Sequence, residues 1–200
     1  MMKGAGCLLA LGLVLTAGTA PAQEPVQQGH LSTANLPATI GDGANQALLM
    51  GCVLHTLGLS PIDQGNAERL AAAQIVLGGD APPHIANYAP KGFGRSVLAH
   101  IASGQGPVWI VAFPETHRCT IFAAGGNVKN TAELLIKHVE EPGVPWRHIT
   151  TDDDGTTTVR MYAWQVDANR RIRAAITTPS NLERPGKPLV MVLTGIDTGN

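Results

Sequence analysis

Residues Gly106–Gly126 read GPVWIVAFPETHRCTIFAAGG. Two apolar runs, Gly106–Phe113 and Cys119–Ala124, flank the polar Pro-Glu-Thr-His-Arg. Short apolar runs rich in β-branched and aromatic residues, separated by a turn, predict a hairpin. The remaining pattern sorts around this hairpin. Upstream, apolar residues recur at helical spacing; downstream, one helix precedes a series of alternating runs.

ANQALLMGCVLHTLG predicts a buried helix over about Ala44–Leu57, apolar nearly all round. Gly58 is a natural stop. NAERLAAAQIVLGG predicts a second helix, Asn66–Leu77, with Asn66 as N-cap. SVLAHIAS (96–103) is expected to form a short helix, because Phe93, Val97 and Ile101 have helical spacing. NTAELLIKHVEEPG predicts a helix capped by Asn130 and Glu133 and ended by Pro142. Strands are expected over about 146–151, 157–166, 170–178 and 187–194. Asp154-Gly155 and Ala168-Asn169 are placed at hairpin turns. The expected fold class is α+β: N-terminal helices, then an antiparallel sheet of about six strands with one inserted helix.

The N-terminus speaks to compartment. MMKGAGCLLALGLVLTAGTAPAQ carries one cation, Lys3, then an apolar run, then Ala20-Pro21-Ala22. That order predicts a signal peptide over residues 1–22, cleaved before Gln23. Cys7 stands at the beginning of the apolar run, so lipidation is not expected. Residues 23–43, rich in Gln, Pro and small polar residues, read as a flexible leader. Residues 44–200 read as a single domain. The formal net charge of −1 and the absence of a Lys/Arg block argue against nucleic acid as main partner. No later segment is long and apolar enough for a transmembrane helix. The expected location is periplasmic or secreted.

Without Cys7, two cysteines remain, Cys52 and Cys119. An even count in an exported chain favours a disulfide joining the first helix to the hairpin. Two other readings stay open. Cys52 and His55 lie i, i+3 on a helix, and His117 and Cys119 lie i, i+2 near a strand, so the four make a possible tetrahedral zinc set. Cys119 beside His117 also fits the outline of a nucleophile, although no third residue completes the site.

Elsewhere the chemistry is sparse. TDDDGTTT (151–158) has contiguous carboxylates where a calcium loop needs alternating ones, so it reads as a turn. GFGRS and GDGAN lack the Lys or third Gly of a phosphate loop. No G-x-S-x-G, H-E-x-x-H or CxxC occurs; His138, on a capped helix, reads as solvated, and His84, after Pro82-Pro83, reads as loop. No cofactor is expected. A two-residue turn at Ala168-Asn169 would set Trp164 opposite Arg173. Tyr162, Trp164, Arg171 and Arg173 would then share an exposed face, with Met161, Ala163, Ile172, Ala174 and Ile176 facing the core. Aromatic and arginine side chains together have the composition of a binding face.

A cysteine on an early apolar helix (LLMGCVLH) and a second in a strand (RCTIFA), behind a signal peptide, resemble a loose group of uncharacterised proteobacterial secreted proteins and lipoproteins. The resemblance covers about residues 45–125. It implies an envelope location, agrees with the disulfide and brings no activity. The functional expectation is a non-enzymatic periplasmic protein that binds a protein or envelope partner. The alternatives are a small exported hydrolase built from scattered His, Asp and Ser residues, and a bare structural module.

Overall fold

The structure, a computed structural model, describes residues 36–125, 127–182 and 189–197. At its centre stands the predicted hairpin, β3 (Val108–Phe113) and β4 (Arg118–Ala124). All six residues of β3 are buried. Alternation explains why the run is continuous rather than half polar. Val108, Ile110 and Ala112 point to one layer; Trp109, Val111 and Phe113 point to another.

The sheet has eight antiparallel strands in the order β1-β2-β3-β4-β8-β7-β6-β5, not about six. Four match the expected downstream strands: β5 (Arg147–Asp153), β6 (Thr157–Gln165), β7 (Arg171–Pro179) and β8 (Leu189–Asp197). The two additional strands lie where helix was expected. α3 (Ala67–Ala72) stops early, Gln74 takes a left-handed φ of 59°, and β1 (Val76–Leu77) follows. Residues 97–101 are β2 (Val97–Ile101), paired with β3 along its length. Strand alternation sends Ala99 and Ile101 into the helix-side core and sets His100 against Trp109 on the other side. The backbone hydrogen bonds offered by β3 outweigh a weak helical spacing. Asn66 stands at the N-cap position of α3 as expected, but its side chain makes no capping hydrogen bond; its amide donates to Asp63 across a short 3-10 turn.

The helix layer begins with α1 (Ile40–Gln46), inside the stretch read as leader. Thr39 and Asp42 form a reciprocal capping box: the Asp42 N–H donates to Thr39 Oγ1 at 3.0 Å and the Thr39 N–H to Asp42 Oδ2 at 3.1 Å. Residues 23–35 of the expected leader, like the expected signal peptide, lie outside the described residues. The helix widens into a π-helical stretch, Ala47–Val53, and closes with α2 (Leu54–Thr56). Gly41 lies against α5 (Val128–Glu140), where a Cβ would come within 2.8 Å of Leu134. α5 starts a turn earlier than expected, because Val128 is buried. Its cap is Asn127, not Asn130: the Asn127 side chain accepts the Asn130 N–H at 3.1 Å. The short α4 (Pro83–Ala86) belongs to residues 78–95, which cross the opposite face of the sheet.

Cys52 and Cys119 form a disulfide with Cα atoms 5.3 Å apart, tying the π-helical stretch to β4 across 67 residues. Both are fully buried. Closing a loop of that length restricts the unfolded chain and stabilises the fold by roughly 4 kcal/mol in the chain-entropy picture. A Cys52→Ala/Cys119→Ala protein is expected to lose about 2–5 kcal/mol of unfolding free energy, read from urea denaturation against the oxidised parent. Superimposable curves would show that packing alone holds this junction.

Candidate functional site

The β6–β7 hairpin decides which side chains can act together. Asp167 accepts the N–H groups of Asn169 and Arg170, both at 2.9 Å, and its carboxylate pairs with the Arg170 guanidinium. The Val166 N–H donates to the Arg170 carbonyl. This closes a longer loop than the expected two-residue turn at Ala168-Asn169. The register therefore moves by one: Trp164 opposes Ile172, and Ala163 opposes Arg173. A one-residue shift turns one strand's side chains over relative to the other.

The predicted face of Tyr162, Trp164, Arg171 and Arg173 is consequently divided between the two sides of the sheet. Tyr162 is buried on the helix side, and its hydroxyl donates to Glu140 at 2.7 Å. Burial first, and the Glu140 carboxylate second, push the phenol's pKa well above its ordinary value. Trp164 packs edge-to-face on buried Trp146. Arg171 and Arg173 stand on the opposite face, where both approach Asp197. Met161 and Ala163, expected in the core, share that outer face.

The zinc set is not assembled. Both sulfurs are in the disulfide, which also removes the thiolate a nucleophile needs. Among the described residues there is no group of three or more His, Cys, Asp or Glu suited to a metal. His55 is fully buried, and its Nδ1 accepts the Ile62 N–H at 3.0 Å. Its Nε2 makes no hydrogen bond, although the carbonyls of Phe113 and Arg118 lie on that side. The His117 ring is 6.3 Å away, on a left-handed residue at the hairpin turn. Burial lowers the His55 pKa, and His117 adds to this; the two carbonyls and Asp63 oppose it.

The acidic run 152–154 acts as a turn. Asp154 accepts the N–H groups of Thr156 and Thr157, and Asp153 holds the hydroxyls of Thr158 and Ser180. These hydrogen bonds lower both carboxyl pKa values.

The outer face of the sheet offers a better site. Ile85, Tyr88 and Phe93 cover its β2-β3-β4 part, against Trp109, Val111, Phe113 and Phe122. Over β8, β7 and β6, the half-exposed Leu193, Ala175 and Met161 form a floor instead. A shallow depression of about 250 Å³ lies there, rimmed by Arg118, Arg173 and Asp197. Arg118 is held in place: its guanidinium carbon sits 4.5 Å over the Phe93 ring. Its side chain crosses Gly195, in the space a Cβ would face at 3.6 Å. Phe93 is buttressed edge-to-face by buried Phe113, and its carbonyl accepts the Thr116 hydroxyl. Such an apolar floor with a fixed cation at its edge suits recognition.

Sequence reading missed this site because Arg118 stood in an assumed turn and Met161 in an assumed core. The signal available was Asp167, whose side chain lengthens the loop. No protein-family model matches the chain, and no curated protein or solved structure matches it.

The buried His55 makes stability depend on pH. Its folded pKa lies below the ordinary 6.5, so the unfolded chain takes up a proton the native state refuses. Stability is complete above that value and falls as pH drops below it. The lowered carboxyls Asp153, Asp154 and Asp167 contribute only on further acidification, around and below 3.8. Thermal melts between pH 7.5 and 5.5 are expected to show falling Tm for the parent and a flatter profile for His55→Gln. Parallel profiles would assign the dependence to another group.

Proposed function

We propose that this chain is an exported, non-enzymatic binding protein, and that the open β8-β7-β6 half of its sheet docks a protein partner in the envelope. The observation carrying this reading is the asymmetry of the outer face. One half is roofed by residues 78–95, while the other leaves apolar side chains half-exposed beside fixed charges. Contiguous apolar surface rimmed by polar groups is characteristic of interaction sites.

Two further features support export. The N-terminal pattern has the order of a signal peptide. The buried Cys52–Cys119 bond suits an oxidising compartment. No helix among the described residues is long and apolar enough to cross a membrane. A rigid disulfide-braced sheet presenting a preformed surface loses little entropy on docking.

Leu193→Asp places a charge on the floor of the proposed surface without touching the helix-side core. This variant is expected to lower co-purification of the partner from native envelope at least tenfold while keeping its circular dichroism melt. Leu49→Asp, on the exposed side of the helix layer, is the control and should leave recovery unchanged. Equal recovery with all three proteins would remove the sheet face as the docking surface.

A further inference from the structure

We infer that the open half-sheet recognises its protein partner through a carboxylate carried next to an apolar side chain, with Arg118 as the receptor for the charge. This rests on the docking reading above and names the chemistry it selects. Two cations rim the depression, Arg118 and Arg173, and one anion, Asp197. Asp197 is shared by Arg173 and, at 4.0 Å, by Arg171 from just outside the depression. Among the described residues no carboxylate pairs with Arg118, whose one described partner is the Phe93 ring. Positive charge therefore exceeds negative around the depression, and Arg118 is the cation there without a carboxylate, which calls for negative charge on the partner.

The form of that charge follows from Arg118's setting. A guanidinium lying on an aromatic face keeps its N–H groups for partners at its edge, and their fork matches the two oxygens of a carboxylate. Phe93 and Gly195 hold the group in place, so little side-chain freedom is lost on binding. The floor beside it is Leu193, Ala175 and Met161, which suits an aliphatic neighbour of the carboxylate.

Size decides between a free small molecule and a protein. A depression of about 250 Å³ is smaller than the usual small-ligand pocket of about 300–1,000 Å³, so a free acid is held there only weakly. It is large enough for an acidic residue and one apolar neighbour presented by a larger surface.

The test uses N-acetyl-leucine, which carries a carboxylate beside an aliphatic side chain, and its uncharged analogue N-acetyl-leucinamide. Each is titrated into the disulfide-bonded protein and followed by backbone amide NMR. The carboxylate is expected to shift the amides of Ala175, Leu193 and Gly195 with an affinity at least tenfold above that of the amide. Arg118→Gln should remove this preference, and Arg118→Lys should restore only part of it. Equal response to acid and amide, shifts confined to another surface, or a preference that survives Arg118→Gln overturns the inference. The acid-versus-amide comparison on the unaltered protein needs no variant to fold. Retained partner binding together with no preference for the carboxylate overturns this inference alone and leaves the docking surface standing.

Discussion

Burial of the β3–β4 hairpin on both faces is the constraint from which the other layers follow. β3 offers no polar side to solvent, so each face must be covered by something else in the chain. The helix layer covers one face and residues 78–95 the other. Gly51 lets the π-helical stretch settle close to the sheet, with Ile75 and Ile110 at the position a Cβ would face. The disulfide then fixes that helix at a point on β4 opposite Ala112. The cover on the other face ends at Phe93, and the half-buried floor begins beyond it. The candidate site is thus set by where the roof stops.

The hairpin, the first helix, α5 and the four later strands were legible, because each carries a strong local period or a turn signal. The disulfide was legible from cysteine count and expected compartment. β1 and β2 were not. Their residues form short apolar stretches whose local preference is weak, and pairing with β3 decides their conformation. Capping positions were misread by a few residues where tertiary burial moved a helix start, as at Val128. The start of α1 was missed because Thr39 and Asp42 lie in a stretch whose composition otherwise resembles a linker.

The candidate site shows how far one side chain can reach. Asp167 holds two backbone N–H groups and a guanidinium, and in doing so lengthens a loop. That places Tyr162 and Trp164 among the core aromatics and puts Met161 on the outer floor. Composition alone cannot distinguish the two registers, because both give a plausible buried face. The choice lies in the loop, whose hydrogen bonds are local and whose effect spans nine paired positions. Arg118 was overlooked for a related reason: its significance comes from Phe93, distant in sequence and brought close only by the roof.

The strand order bears on how the chain reaches its native state. β8, the last strand described, lies between β4 and β7 in the middle of the sheet. Until it is in place, β1–β4 and β5–β7 have no shared hydrogen bonds, and each half presents an unpaired edge. Joining them requires contacts between segments far apart in sequence, such as Thr120 with Leu193. Topologies dominated by such pairings fold slowly compared with helical bundles. The sheet is completed only when β8 pairs with both β4 and β7. Until the central strand arrives, the facing edges of β4 and β7 are unpaired and in need of protection.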